Sequence, residues 1–410
     1  MSLPIRLVFL HVTRNLAPNG DILWKRSFVK GVAVKTLARH GDMTAADSLL
    51  PSATPLQLID ADGHPGDNPG ALSLPGPDVL VELHRRMVLG RRFDSQSTAL
   101  AKQGRLAVYP SSRGQDACQV GAALALRRQD WLFPTYRDSM AVLTRGVPAE
   151  ETLTLLRGDW HCGYDPVEYR VAPQCTPLAT NTLHAVGLAY AARLKDQDQV
   201  ALALLGDGAT SEGDTHEALN FAAVWKAPVV FLVQNNGYAI SVPLAKQTAA
   251  PTLAAKGIGY GIPSMLIDGN DAAAVYAAVR AGVSRAAAGD GPTLIEALTY
   301  RIEAHTNADD ATRYRESGEV SAWLSRDPIA RLEAYLRGAG LLDDSSAARL
   351  AAEAERLAED VRERMNADIS VDPAELFEHV YTQPTAALSR QRAELLAELG
   401  ELAELEEPAP

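Results

Sequence analysis

Two short turns, Gly206-Asp207-Gly208 and Asn235-Asn236, stand where two apolar runs stop. The runs, residues 199–205 (QVALALL) and 228–234 (PVVFLVQ), are brief and uninterrupted, the pattern of strands buried on both faces. A helical pattern over 214–225 connects them. A right-handed crossover of that kind brings both strand ends to one edge of a sheet, the edge where open α/β sheets bind ligands. There Asp207 would offer a carboxylate, Asn236 an amide oxygen, and Tyr238 a backbone carbonyl. These hard oxygen donors suit Mg²⁺ or Ca²⁺ but cannot fill an octahedron, so a phosphate and water should complete the sphere. Gly208 would let backbone approach that phosphate, and the helix start behind it supplies free N–H groups.

Such turns must be carried by a sheet, and the surrounding pattern supplies one. Apolar segments at 264–268 and 293–300 flank a helical stretch at 271–288. Strands alternating with helices predict an α/β fold with one doubly wound parallel sheet. Helical flanks are expected at 78–104, where Asp78 is the candidate N-cap, and at 114–127 and 138–157, with WLFPTYR between the last two. Further helices are expected over 327–338, 345–365 and 385–405, the last acidic and amphipathic. Residues 50–77, rich in Pro, Gly, Asp and Ser, read as an extended arm. Residues 1–40 are basic with a single acidic residue, Asp21, and read as an extension upstream of a start at Met43. The chain thus divides into a largely irregular N-terminal part (1–77), an α/β domain (78–325) and a helical C-terminal region (326–410). Hydrophobic residues make up 47% and charged residues 22%, enough for a sizeable core. A net charge of −12 argues against a nucleic-acid partner. No apolar run reaches the roughly 20 residues that cross a bilayer. Cys118, Cys162 and Cys175, with no CxxC spacing, fit a reduced cytoplasmic protein.

The full stretch GDGATSEGDTHEALNFAAVWKAPVVFLVQNNGYAIS resembles the cofactor-binding motif of thiamin-diphosphate enzymes. FPTYRDS (133–139), CTPLATN (175–181), DGNDAAAVY (268–276) and TYRIEAHTNADDATRYR (299–315) look like segments of the alpha subunits of 2-oxo acid dehydrogenases. The likeness covers roughly residues 78–390. In detail it is to the bacterial branched-chain members: the DGND segment and Asp309-Asp310 favour them over the pyruvate type. A pyruvate or acetoin enzyme, or a non-catalytic assembly partner of the same fold, is the alternative; Arg137, Asp207, Asn236 and His305 standing together argue against the last.

The resemblance implies a thiamin-diphosphate-binding fold and assigns roles. Tyr136 and Arg137 would reach the diphosphate, where a guanidinium donates bidentate, charge-assisted hydrogen bonds. Gly206, Asp207, Gly208, Ala209 and Asn236 would hold the cofactor, with Asp207, Asn236 and Tyr238 on Mg²⁺. Thr176, Pro177 and Leu178 would line the thiazolium and substrate pocket, Leu178 as the apolar wedge that keeps the cofactor bent. The bare residues there also read as an ordinary helix entry capped by Thr180 and Asn181. Those two match a potassium turn in some relatives, although Cys175 stands where several carry serine. Arg301, His305 and Tyr136 would serve catalysis, His305 by moving protons near neutral pH. Thr306 stands where animal relatives carry a phosphorylated serine, and Gln234 where one carries a phosphate-binding arginine. The glutamate that ionises the cofactor has no second sheet domain to hold it here. The resemblance therefore implies a beta subunit, in a heterotetramer of two alpha and two beta chains. That enzyme would decarboxylate a 2-oxo acid and acylate the lipoyl group of a separate acyltransferase.

Overall fold

Alternate residues along the central strands enter two different cores, as a period of two requires when a sheet is covered on both faces. Leu202, Leu204, Val230, Leu232, Ile295 and Ala297 pack in one cluster; Ala201, Ala203, Leu205, Val229, Phe231 and Val233 pack in the other. The structure, a computed structural model, describes residues 10–16, 22–28, 49–66, 72–158, 161–367 and 372–406.

Met1–Asp47 and Ser48–Pro410 form separate compact units. In the first, β1 (Leu10–Leu16) pairs antiparallel with β2 (Ile22–Phe28), where the sequence suggested irregular chain. Met43 lies outside the described residues.

The second unit opens with the arm and then α1 (Pro77–Lys102), α2 (Asp116–Ala125) and β3 (Trp131–Phe133). Next come α3 (Ser139–Thr144), α4 (Ala149–Arg157), α5 (Pro166–Tyr169), α6 (Thr180–Leu194) and β4 (Ala201–Gly206). After α7 (Gly213–Trp225) and β5 (Val229–Asn235), a small hairpin is made by β6 (Tyr238–Ala239) and β7 (Val242–Pro243). Then follow α8 (Lys256–Tyr260), β8 (Ser264–Asp268), α9 (Ala272–Ala287) and β9 (Thr293–Leu298). The C-terminal region is helical: α10 (Ser317–Leu324), α11 (Pro328–Gly338), α12 (Asp344–Asn366) and α13 (Ala386–Glu406).

The sheet runs β3-β4-β5-β9-β8, every pair parallel. This is the α/β fold with one parallel sheet that the sequence implies. Helices α1, α2 and α9 cover one face and α6 and α7 the other. The helical stretch expected over 138–157 is two helices. Gly146 turns out of the helix at φ +97°, and Pro148 disfavours a helical conformation at the residue before it. No helix among the described residues is long and apolar enough to cross a membrane.

The arm takes its order from the sheet. Leu56 exchanges backbone hydrogen bonds with Leu266 and Asp268, so the arm covers the open edge of β8. Asp271 caps α9 through Oδ1, and its Oδ2 accepts from the N–H groups of Leu58 and Ile59 at 2.6 and 2.8 Å. One carboxylate thereby fixes both a helix start and the arm.

Candidate active site

Strands β4 and β5 end side by side and place their following residues in one cavity of about 410 Å³. Asp207, directly after β4, is 1% exposed and opens a 3₁₀ turn over Gly208–Ser211. Its Oδ2 accepts a hydrogen bond from Gln247 Nε2 at 2.9 Å, while Oδ1 is buried without a partner. Burial raises the Asp207 pKa, against the downward pull of Gln247. Any side chain at Gly208 would collide with Ala239, since an added Cβ would lie 2.7 Å from the Ala239 Cβ.

The asparagine pair at the end of β5 splits by the pleat. Asn235 donates to Glu296 on β9 at 2.7 Å, a cross-strand tie. Asn236 faces the cavity: its Nδ2 donates to Gln115 Oε1 at 3.2 Å, and its Oδ1 accepts from the Tyr238 N–H at 3.1 Å. Tyr238 is held from outside by Glu319 of α10, 2.9 Å from its hydroxyl.

Across the cavity lie two guanidinium groups. Arg137 is 6% exposed and Arg301 2%, and among the described residues neither pairs with a carboxylate. Arg137 donates instead to the carbonyls of Ser111 (2.9 Å) and His305 (2.8 Å). Arg301 donates to the Ile240 carbonyl (2.7 Å) and the Tyr314 hydroxyl (3.0 Å). Both also approach His305 Nδ1, at 3.1 and 3.3 Å. A nitrogen facing two obligate donors must be an acceptor, so the neutral ring carries its proton on Nε2, which stands 3.4 Å from the Tyr136 hydroxyl. Burial first, then the two arginines, push the His305 pKa down to about 4.

Arg137, Asp207, Asn236, His305, Tyr136, Arg301, Leu178, Gly206, Gly208, Ala209 and Tyr238 all line this cavity. Thr176 does not; it is exposed on a turn tied to the Tyr136 loop by the hydrogen bond from Tyr136 N–H to the Cys175 carbonyl, 3.0 Å. Thr180 begins α6 without capping it: the N-cap is Ala179, at φ +66°. Asn181 donates to the carbonyls of Phe133 and Leu204 at 3.1 and 2.8 Å, locking β3 to β4, and Thr180 faces Asp214 at 3.4 Å. Gln115, Thr135 and Gln247 also line the wall, and sequence reading missed them. Gln115 and Gln247 are common polar residues outside the recognisable segments, and Thr135 lies within FPTYRDS with nothing in its residue type to mark it.

Residues 84–373 match the family model of the dehydrogenase E1 component. The 3-methyl-2-oxobutanoate dehydrogenase subunit alpha of Mycobacterium tuberculosis is 47% identical over 346 residues, which is 84% of this chain and 94% of the relative. The pyruvate dehydrogenase E1 component subunit alpha of Staphylococcus aureus is 42% identical over 268 residues, 65% of this chain and 72% of that one.

Proposed function

Since the chain belongs to the dehydrogenase E1 component family, we propose that it is the alpha subunit of a branched-chain 2-oxo acid dehydrogenase. One observation carries the site reading. A cavity holds two buried guanidinium groups without carboxylate partners, opposite a buried carboxylate with a partnerless oxygen. Buried charges left so are costly, and a ligand carrying both an anion and a cation would relieve both. A metal-bound diphosphate has that composition.

The residues fit thiamin diphosphate with Mg²⁺. Asp207, Asn236 Oδ1 and the Tyr238 carbonyl would hold the metal, a hard-oxygen set of low charge. Arg137 and Tyr136, with the backbone at Gly206, Gly208 and Ala209, would hold the diphosphate, and Leu178 would press on the cofactor from the apolar side. When bound, the cofactor supplies the carbon nucleophile and electron sink for removing carbon dioxide from a 2-oxo acid. This chain's contribution is orientation and charge. The neutral His305 ring presents an Nε2–H donor to the cavity, with Nδ1 held as an acceptor by Arg137 and Arg301. Its natural role is donation of a hydrogen bond to a developing oxyanion. At the turn where potassium was expected, Thr180 donates to Asp214 and the Asn181 NH₂ to two carbonyls, while Asn181 Oδ1 is buried without a partner.

A beta subunit and a lipoyl-bearing acyltransferase are the proposed partners, in a two-alpha, two-beta assembly. The test is coexpression with a candidate beta subunit and assay of carbon dioxide release with Mg²⁺ and thiamin diphosphate. Turnover of 3-methyl-2-oxobutanoate at a kcat/KM at least tenfold above that for pyruvate is expected. The reverse order would make it a pyruvate enzyme, and binding of cofactor without turnover of any 2-oxo acid would refute the catalytic reading.

A further inference from the structure

A line of side chains runs from the Tyr136–Arg137 loop to Asn236 through the protein interior. Asp138, fully buried after Arg137, accepts from the Thr135 N–H and hydroxyl at Oδ2, both 2.7 Å, and from Gln234 Nε2 at Oδ1, 2.7 Å. Gln234 Oε1 accepts from Gln115 Nε2 at 3.0 Å, and Gln115 Oε1 accepts from Asn236 Nδ2 at 3.2 Å. Asn236 Oδ1 then accepts from the Tyr238 N–H.

Every link in this line is directional. A carboxylate can only accept, so the Gln234 amide must turn its NH₂ to Asp138 and its oxygen to Gln115. Gln115 must then present its own NH₂ to Gln234 and its oxygen to Asn236. Asn236 is left with its NH₂ turned inward and its oxygen toward the site. Resting on the functional reading above, we infer that Asp138 is a positioning residue that sets, through Gln234 and Gln115, which atom of Asn236 faces the metal. The inverted amide would point an NH₂ at a cation, so the polarity of the relay bears directly on metal-dependent binding. Gln234, noted in the sequence for the arginine it replaces in an animal relative, thereby acquires a role of its own.

The isosteric change Asp138→Asn tests this with little change of volume. Thr135 N–H is a fixed donor, so the new amide oxygen must stay with it and the new NH₂ must face Gln234. Gln234 and Gln115 then turn over in sequence, and the relay meets the fixed Tyr238 donor with the wrong polarity. The metal-free protein can relax by turning Asn236, whereas the metal-bound protein cannot, so the penalty falls on binding. The double change Asp138→Asn with Gln234→Glu restores the order. The carboxylate introduced at position 234 accepts from the new amide at position 138 through one oxygen and from Gln115 through the other, and net charge is unchanged.

Titration calorimetry of thiamin diphosphate with Mg²⁺ into the full chain assembled with its beta subunit reads the result. The single variant should bind about tenfold more weakly than wild type, and the double variant within threefold of it. A single variant that binds as wild type does, or a double variant no better than the single, overturns the relay. Should Asp138→Asn fail to fold, the double variant decides alone. Its binding within threefold supports the relay, and its misfolding or weak binding overturns it, because the relay leaves all its groups paired. A wild type that binds no thiamin diphosphate overturns the functional reading, and the inference with it.

Discussion

His305 sits between Arg137 and Arg301, each aiming an N–H group at its Nδ1. Asp309 accepts from the His305 backbone N–H at 2.8 Å and pulls its pKa up, but burial and the two arginines outweigh it. The ring is therefore neutral at pH 7, which refines the sequence expectation of a group poised to gain and lose protons there. The direction of the linkage follows. An unfolded chain takes up this proton near pH 6.5 and the folded one near pH 4. Between those values the unfolded state binds more protons, so the His305 contribution to stability is whole above about pH 6.5 and falls as pH drops toward 4. Binding a diphosphate adds negative charge beside the arginines and favours the protonated ring. With labelled histidine, the His305 resonance should titrate near pH 4 in the cofactor-free protein and move upward once thiamin diphosphate and Mg²⁺ are bound. A midpoint near pH 6.5 without cofactor would show that the ring is not enclosed by the guanidinium groups. Asn236 depends likewise on orientation, since only one end of its amide can face a cation.

Elements decide whether such residues meet. The loop between α1 and α2 reaches the end of β9 at Gly114, whose carbonyl accepts from Thr299 Oγ1 at 2.7 Å. Gly114 has φ +97°, and a Cβ there would overlap the Tyr300 carbonyl oxygen. Gly114→Ala must therefore displace backbone on one side or the other. The left-handed conformation alone costs about 1 kcal/mol, and backbone overlap of this kind brings the total to about 2–4 kcal/mol. Denaturant unfolding should show that loss, and cofactor affinity should fall with it because Gln115 is the next residue. An alanine variant as stable as wild type would mean that the loop does not approach β9 so closely. This loop also marks where the sequence stopped being informative. β4, β5, α7 and the turns after the strands are legible because their pattern is local: apolar runs, a helical period and turn residues within one continuous segment. The docking of the arm on the sheet and the relay are not. Gln115 meets Gln234 and Asn236 across 119 and 121 residues, and Gln234 meets Asp138 across 96. A buried amide chain leaves no periodic signal, and Leu56 to Ile59 look like loop until β8 and Asp271 give their backbone partners. Arg137, Arg301 and His305 came from resemblance to a family, since an arginine or a histidine alone carries no mark of its role.

At the scale of the molecule, the cavity is complete on its charged side and open on its apolar side. Asp207, Arg137, Arg301 and His305 are in place, whereas the apolar residues at the wall, Leu178, Ile240 and Val242, are 40%, 54% and 43% exposed. Catalysis of the proposed kind needs water kept from the reacting carbon and a carboxyl group placed to hold a proton on the cofactor ring. Neither need is met among the described residues. Two carboxylates line the cavity: Asp207 is assigned to the metal, and Glu212 is exposed to solvent. Among the described residues of Ser48–Pro410 there is a single parallel sheet, so no second one is there to carry another carboxylate to the open side. A separate chain covering Leu178, Ile240 and Val242 would exclude water and could bring that carboxylate with it. Large apolar side chains are left exposed together where a partner covers them. The isolated chain should therefore release no carbon dioxide from 2-oxo acids above background, even with saturating Mg²⁺ and thiamin diphosphate, and activity should appear on titration with the beta subunit. Substituting Ile240 by Asp places a charge on the open apolar side and keeps the backbone carbonyl at 240 that accepts from Arg301. It should raise the concentration of beta subunit needed for half-maximal activity by about tenfold or more, since a charge buried in an apolar interface without a partner is costly. The rate at saturating beta subunit should fall less than that. Decarboxylation by the isolated chain would show that the site is complete within one subunit. An Ile240→Asp variant with unchanged dependence on beta subunit would place the interface elsewhere.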